Sequence, residues 1–287
     1  MSFYKSTILP LLALFSLAAC TASPATATLE PTVPATSNPQ PSNTPFLTAT
    51  QAPATKTPIP PTSTPAPKAQ LCSPLDGLTL AQLPQILVQP FIPPTTGKDD
   101  GHTGVDLSYW SRGTRTTMQG LPVYSALPGK VAAVLPNQLP YGNAIIIETP
   151  LDVLPSSWMS ALQLPGPIPT VPPAPVMMCT LPTQPANWDV NKRSLYVLYA
   201  HFDQPAIVKA GDNVKCGQQI GGVGTTGMSS NDHLHFEVRV GPSEATFGTM
   251  AYYDTSESAQ EISTYCEWRI SQLFELIDPM KLLSLHP

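Results

Sequence analysis

The chain has 287 residues and a net charge of −5, with 14 basic against 19 acidic residues. This acidic balance argues against a nucleic-acid partner, which requires a concentration of basic side chains. The length allows one large domain or two small ones. With 36 prolines and only five histidines, the positions of both residue types are informative.

The first 19 residues have the composition of a secretory signal peptide. Lys5 precedes an apolar run over 8–17, which is shorter than the roughly 20 residues needed to span a bilayer. The run ends in Leu-Ala-Ala-Cys at 17–20, which resembles the lipobox of bacterial lipoproteins. We therefore predict that residues 1–19 are removed and that a lipid on Cys20 anchors an exported protein to a membrane, facing the cell wall.

Residues 20–70 lack the side chains from which a core is built. Between 21 and 70, twelve of the 50 residues are Pro and another twelve are Thr, while only Glu30, Lys56 and Lys68 are charged. Such a composition cannot offset chain entropy and favours an extended, disordered tether with polyproline II character. A lipid-anchored tether indicates a domain that must reach a target away from the membrane.

Four cysteines remain beyond Cys20, and none is spaced as Cys-x-x-Cys: Cys72, Cys179, Cys216 and Cys266. An even number in an exported chain permits two disulfides in three possible connectivities. We favour a bond between Cys72 and Cys266, because both lie near the ends of the folded domain and domain termini often meet.

From residue 71 onward, short β-branched runs separated by Gly, Pro and Asn predict one all-β domain over 71–287. Helices are expected only within 261–276 and 279–283, so parallel βαβ units are improbable and a small antiparallel β-sheet sandwich is expected. The Pro-rich stretch 149–195 interrupts this domain as a long insertion without regular structure. Strands are predicted at 120–125, 129–135, 141–148, 195–201, 208–214 and 233–240, and a bent glycine-rich hairpin at 217–227.

Four of the five histidines fall into three short motifs: His102-Thr-Gly-Val-Asp106, Tyr199-Ala-His201 and His233-Leu-His235. Residues two apart on a strand share a face, so both imidazoles of the third motif point into one region. In an extended chain His102 and Asp106 also share a face, with Gly104 leaving the space above the backbone open. The fifth histidine, His286, is expected to be a bystander in a frayed tail.

Together these motifs supply the ligands of a catalytic zinc ion. His102, Asp106 and one histidine of the His233–His235 pair would form a two-His, one-carboxylate site that keeps a fourth position for water. Zinc lowers the pKa of such a water toward ~7 and so provides a nucleophile at neutral pH. The sequence therefore predicts Zn²⁺ as the cofactor of a hydrolase.

The order of these motifs resembles the lysostaphin/LytM-type zinc peptidases of family M23. The resemblance covers about 98–240 apart from the insertion, and it rests on five motifs that occur in order. They are His102-x-Gly-x-Asp106-Leu, Tyr141-Gly-Asn-x-Ile-Ile-Ile, Tyr199-Ala-His201, the glycine-rich run 211–227 and His233-Leu-His235-Phe-Glu-Val-Arg.

The resemblance implies a fold, a role for each residue and a substrate. The fold would be a barrel-sandwich-like domain built on a duplicated hybrid motif. His102, Asp106 and His235 would bind zinc, while His201 and His233 would act on the water and on the tetrahedral species, in an order that stays open. The implied activity is that of a zinc endopeptidase acting on stem peptides or cross-bridges of peptidoglycan.

The same residues allow three other interpretations. A catalytically silent relative that binds or activates other wall hydrolases would be expected to have lost site residues, whereas all five positions are filled. A carrier module would need a lysine at a hairpin tip, but Lys215 precedes the glycine-rich run. A D-alanyl-D-alanine peptidase would need a Glu-x-x-His after Asp106, and none occurs. Oligomeric state stays open.

Overall fold

The computed structural model describes residues 68–95, 98–164, 179 and 189–285, with the backbone alone at 189–191. The predicted signal peptide, Cys20, nearly all of the predicted tether and His286 lie outside the described residues, as does much of the predicted insertion. Within these described ranges, no helix is both long enough and apolar enough to span a bilayer.

The described residues form ten β-strands, three short α-helices and two 3₁₀ helices. The strands are β1 (Leu87–Gln89), β2 (Gly104–Leu107), β3 (Pro122–Tyr124), β4 (Gly129–Gln138), β5 (Gly142–Pro150), β6 (Asp189–Phe202), β7 (Asn213–Val214), β8 (Gln219–Gly222), β9 (Leu234–Ser243) and β10 (Glu275–Ile277). The helices are α1 (Ser156–Leu162), α2 (Ala259–Arg269) and α3 (Pro279–Leu283), with 3₁₀ turns at Leu80–Ile86 and Leu151–Val153.

Most strands belong to one antiparallel sheet with the order β1-β2-β9-β6-β5-β4-β7, and β10 also pairs with β9. Strands β3 and β8 form a separate two-stranded antiparallel sheet. The predicted all-β, antiparallel architecture with few short helices is therefore confirmed.

The two faces of the main sheet are covered differently. Because side chains alternate along a strand, Val197 and Phe236 point to one face, where they join a core that includes residues of α1, α3 and the small sheet. Tyr196 points to the other face and packs with Trp268 of α2 and with Phe247. Segment 245–274 covers only part of this second face, and the rest is available for a site.

The glycine-rich run 217–227 does not fold back on itself as the predicted hairpin. Its strand β8 pairs with β3 instead. A Cβ atom at Gly221 would lie 2.5 Å from the Phe202 ring, so the missing side chain lets β8 pack directly on β6. Close packing of two sheets, rather than a tight turn, is the reason for glycine here.

The predicted insertion contains regular structure. Strand β5 continues to Pro150, a 3₁₀ turn and α1 follow, and β6 already begins at Asp189. In α1 the buried side chains of Trp158 and Leu162 lie one helical turn apart and face the core. The many prolines of this stretch concealed that short apolar pattern, so the expectation of no regular structure over 149–195 was wrong. The predicted domain boundaries themselves stay a prediction.

The predicted Cys72–Cys266 bond was also wrong. The disulfides join Cys72 to Cys216 and Cys179 to Cys266, with Cα–Cα distances of 5.6 and 5.5 Å. Cys72 donates its backbone N–H to Ala126 O, and the residue after Cys216 donates its backbone N–H to the carbonyl oxygen of the residue before Ala126. These two hydrogen bonds bring the cysteines together. Proximity of the domain ends was therefore the wrong criterion for this pairing.

Candidate metal centre

The histidine motifs converge at one end of the main sheet, on the face that α2 leaves partly open. In the β2–β9 ladder, Asp106 lies directly opposite His235, and in the β6–β9 ladder Ala200 lies opposite His235 from the other side. The residues flanking Asp106 and His235 along their strands are buried in the first core, so these two side chains point to the opposite face. His102 precedes β2 and is fixed by paired backbone hydrogen bonds with Ile92.

Three side chains bring ligand atoms together. His102 Nε2 lies 3.1 Å from Asp106 Oδ1 and 3.2 Å from His235 Nδ1, and His235 Nδ1 lies 2.9 Å from Asp106 Oδ1. Zinc ligands at about 2.0–2.1 Å in tetrahedral geometry are separated by about 3.3 Å from one another. The observed triangle therefore fits a zinc-sized cation, and His102, Asp106 and His235 are the residues that could hold it.

Hydrogen bonds outside the triangle orient its first histidine. His102 Nδ1 donates to the carbonyl oxygen of Pro90 at 2.9 Å, so its Nε2 lone pair faces Asp106 and His235. A hydrogen bond of this kind fixes both the tautomer and the ring orientation of a metal ligand. The Nε2 atom of His235 points away from the triangle, toward Glu237.

Burial and charge favour a cation at this position. Burial opposes ionisation of Asp106, but its close contacts with the imidazoles of His102 and His235 hold the pKa of its carboxyl far below the usual range. Burial likewise disfavours a charged His235, yet the carboxylates of Asp106 and Glu237 outweigh it and raise the pKa of His235 to about 9. The buried, ionised carboxylates of Asp106 and Glu237 thus place negative charge beside the triangle, which favours a cation there.

His201 reaches the site through an irregularity in β6. The pairing of β5 with β6 shifts register so that β6 carries one extra residue between Tyr199 and Phe202. His201 has φ +64°, a conformation that non-glycine residues rarely adopt and that is common at functional sites. Its Nδ1 donates to Thr226 O at 2.7 Å, and burial lowers the pKa of His201 to about 3. A neutral imidazole with an available Nε2 lone pair results.

His233 lies beside His201, with the two ring centroids 4.7 Å apart. Its Nδ1 donates to Asn231 O at 2.8 Å, and its Nε2 lies 3.5 Å from Asp106 Oδ1. The structure thus brings all five predicted site residues together. Three form the ligand triangle, and two histidines flank it.

The site opens into a pocket of about 410 Å³. Besides the motif residues, the lining of this pocket includes Asp99, Tyr253, Tyr265 and Arg269. The sequence alone did not point to these residues, because three of them come from the C-terminal part of the chain, which carries no recognisable motif. Asp99 could have been noticed only through its proximity to His102.

Two histidines and a carboxylate at an open pocket, flanked by two further histidines, are the side-chain set of a metal-dependent hydrolase. The sequence model of peptidase family M23 matches residues 189–246, which include β6, β8 and β9. Residues 189–246 therefore match the family that the motifs predicted.

Two solved structures are similar to this chain at low identity. A zinc-containing peptidase from Vibrio cholerae is 26% identical, with a TM-score of 0.30, over 53% of this chain and 32% of that one. The catalytic domain of the antimicrobial peptidase lysostaphin from Staphylococcus simulans is 20% identical, with a TM-score of 0.36, over 72% of this chain and 98% of that one. The chain thus spans about a third of the Vibrio cholerae peptidase.

Proposed function

We propose that this protein is a zinc-dependent endopeptidase that cleaves peptide bonds in the stem peptides or cross-bridges of peptidoglycan during cell-wall remodelling. The observation that carries the proposal is the triangle formed by His102, Asp106 and His235, whose ligand atoms lie 2.9–3.2 Å apart beside two further buried histidines. Zinc, when bound, supplies Lewis acidity toward a scissile carbonyl and makes water more acidic.

The two flanking histidines handle protons. His201 and His233 each donate Nδ1–H to a backbone carbonyl, so each presents Nε2 to the site. In His201 the lowered pKa keeps this nitrogen unprotonated at neutral pH. We propose that one of the pair takes the proton of the attacking water and passes it to the leaving amine, while the other, in its protonated form, donates a hydrogen bond from Nε2 to the tetrahedral species.

We also propose an exported location, with the lipid on Cys20 holding the domain at a membrane and facing the wall. The two disulfides support export, because such bonds persist in oxidising compartments. Membrane fractionation checks the anchor, since Cys20→Ser should move the protein from the membrane pellet to the soluble fraction. Retention of Cys20→Ser in the pellet would contradict it.

Cleavage of purified sacculi tests the enzymatic proposal. Incubation with the mature chain, followed by mass spectrometry, should show released peptides, whose masses identify the bond. A chelator should stop the release and added zinc should restore it. His201→Ala and His233→Ala should each slow release by about 10²–10⁴-fold while retaining the fold. His286→Ala, at the histidine outside every motif, is the matched control.

The outcomes separate the proposal from its rival. Release that neither the chelator nor His233→Ala affects would refute the mechanism. Zinc binding and retention on sacculi without released peptides would instead favour a catalytically silent protein that binds or activates other hydrolases.

A further inference from the structure

A buried carboxylate lies directly behind the ligand His235. Glu237 is fully buried, and its Oε2 accepts hydrogen bonds from Thr103 Oγ1 at 2.8 Å and from the Tyr141 hydroxyl at 3.3 Å. Its Oε1 accepts from Arg239 Nε. The Nε2 atom of His235 lies 3.6 Å from Glu237 Oε2, an ion-pair distance just beyond a hydrogen bond.

A second hydrogen bond, from Arg269, determines in which direction the Thr103 hydroxyl donates. Arg269 Nη1, on α2, donates to Thr103 Oγ1 at 2.8 Å. A guanidinium can only donate, so the single hydroxyl proton of Thr103 must go to Glu237. The other guanidinium nitrogens of Arg269 hold Asp99 at 2.6 and 2.9 Å, which fixes the guanidinium in place.

A neutral imidazole carries one proton, and its position decides which nitrogen can bind a metal. In His235, Nδ1 belongs to the ligand triangle, so the proton must be on Nε2. That Nε2 is buried, and within the described part of the chain it has no partner at hydrogen-bond distance. Glu237 Oε2 is therefore the acceptor toward which the Nε2 proton points.

We propose that Thr103 and Glu237 are positioning residues for His235. The Thr103 hydroxyl, oriented by Arg269, holds the Glu237 carboxylate facing His235 Nε2, where its negative charge favours the proton on Nε2 and leaves Nδ1 for zinc. This role rests on the proposed function, because it assumes that the metal is zinc. It extends the site from the ligand triangle to α2. Partners of this kind typically change metal affinity by about 10–100-fold when removed.

The decisive comparison is between Thr103→Val and Thr103→Ser in the mature chain. Valine keeps the volume and loses the hydroxyl, whereas serine keeps the hydroxyl. Zinc affinity, measured by competition with a chromophoric chelator, should fall about 10–100-fold in Thr103→Val and stay near the native value in Thr103→Ser. In the metal-free protein, at a pH high enough to leave the imidazole neutral, ¹⁵N chemical shifts of His235 should show the Nε2–H tautomer losing population in Thr103→Val alone.

A matched control separates positioning from stability. Thr149 is a buried threonine of β5 whose hydroxyl donates to Pro128 O at 2.8 Å, away from the ligand triangle. Thr149→Val should lower the melting temperature and leave zinc affinity and the His235 tautomer unchanged. If Thr103→Val does not fold, as judged by circular dichroism, Tyr141→Phe replaces it. That variant removes the second hydroxyl donor to Oε2 and should weaken zinc binding to a smaller degree.

Equal zinc affinity and equal tautomer populations in Thr103→Val and Thr103→Ser would overturn this inference. If Tyr141→Phe is used instead, unchanged zinc binding in that variant would overturn it as well. Cleavage of sacculi by the native protein would leave the proposed function standing in those cases. Zinc binding that depends on Thr103, in a native protein that releases no peptides, would refute the peptidase and support the positioning role. A native protein that binds no zinc would overturn both.

Discussion

The missing side chain of Gly104 determines how closely β2 approaches the His235 ring. A Cβ atom at this position would lie 2.7 Å from His235 Cε1 and 2.7 Å from the backbone oxygen of Phe236. The backbone of β9 cannot move without breaking its ladder, so the ring would have to shift. Gly104→Ala should therefore weaken zinc binding about tenfold or more and lower stability by about 1–3 kcal/mol.

Chelator competition and thermal unfolding measure these two effects. Gly248→Ala is the control, because nothing lies within 4 Å of a Cβ atom at that exposed glycine. Equal zinc affinity in Gly104→Ala and Gly248→Ala would contradict the prediction, because it would show that a methyl group at position 104 does not displace the His235 ring from its metal-binding position.

Single residues also show what sequence could and could not predict about the site. His233 and His235 share a face because of strand periodicity alone, which is a local property. Thr103 and Glu237 lie inside the same motifs, but their contact depends on the register of β2 against β9, which no local pattern specifies. Arg269 joins them from α2, more than 160 positions from Thr103 in the chain.

The carboxyl group of Glu267, on helix α2, lowers the stability of the folded protein when it is ionised. Glu267 is half-buried, its Oε1 has no hydrogen-bond partner among the described residues, and burial raises the pKa of its carboxyl to about 7. Because the folded pKa exceeds the unfolded value, the folded protein binds more protons, and stability is lost as pH rises from about 4.5 to 7. Glu267→Gln should therefore raise stability at pH 8 by about 1 kcal/mol, allowing for solvent screening, and leave it unchanged near pH 4.

Urea denaturation at both pH values measures the difference. Gln260→Ala, on the exposed start of the same helix, should shift stability equally at the two pH values. A Glu267→Gln effect that is equally independent of pH would rule out a titrating carboxyl as its cause.

Elements were predictable where one local pattern dominates. The β-branched run of β5 and the alternation of β9 gave strands in the right places. Helix α1 was not predicted because prolines on both sides outweighed its short apolar pattern, and the pairing of β8 was predicted wrongly because its glycines serve packing on Phe202. Sheet pairing and sparse amphipathic turns depend on tertiary contacts that local composition does not report.

At the scale of the whole domain, the disulfides link parts that the sheet does not. Cys72 joins the start of the described domain to Cys216 in the turn before β8. Cys179, in the predicted insertion, is bonded to Cys266 of α2, which lies three residues before Arg269. The first bond therefore fixes the start of the described domain, and the second is attached to the helix that contributes Arg269 to the pocket.

The Cys72–Cys216 bond closes a separation of 144 residues, and such a crosslink stabilises mainly by restricting the unfolded chain. Replacing both cysteines by serine should lower the free energy of unfolding by about 2–4 kcal/mol. Zinc affinity should be unchanged, because neither cysteine lines the pocket. Urea denaturation and chelator competition on the same preparation measure both quantities, and alkylation without reductant should label none of the four disulfide cysteines of the native protein. Labelling of all four would refute the pairing and remove the main structural support for an oxidising compartment.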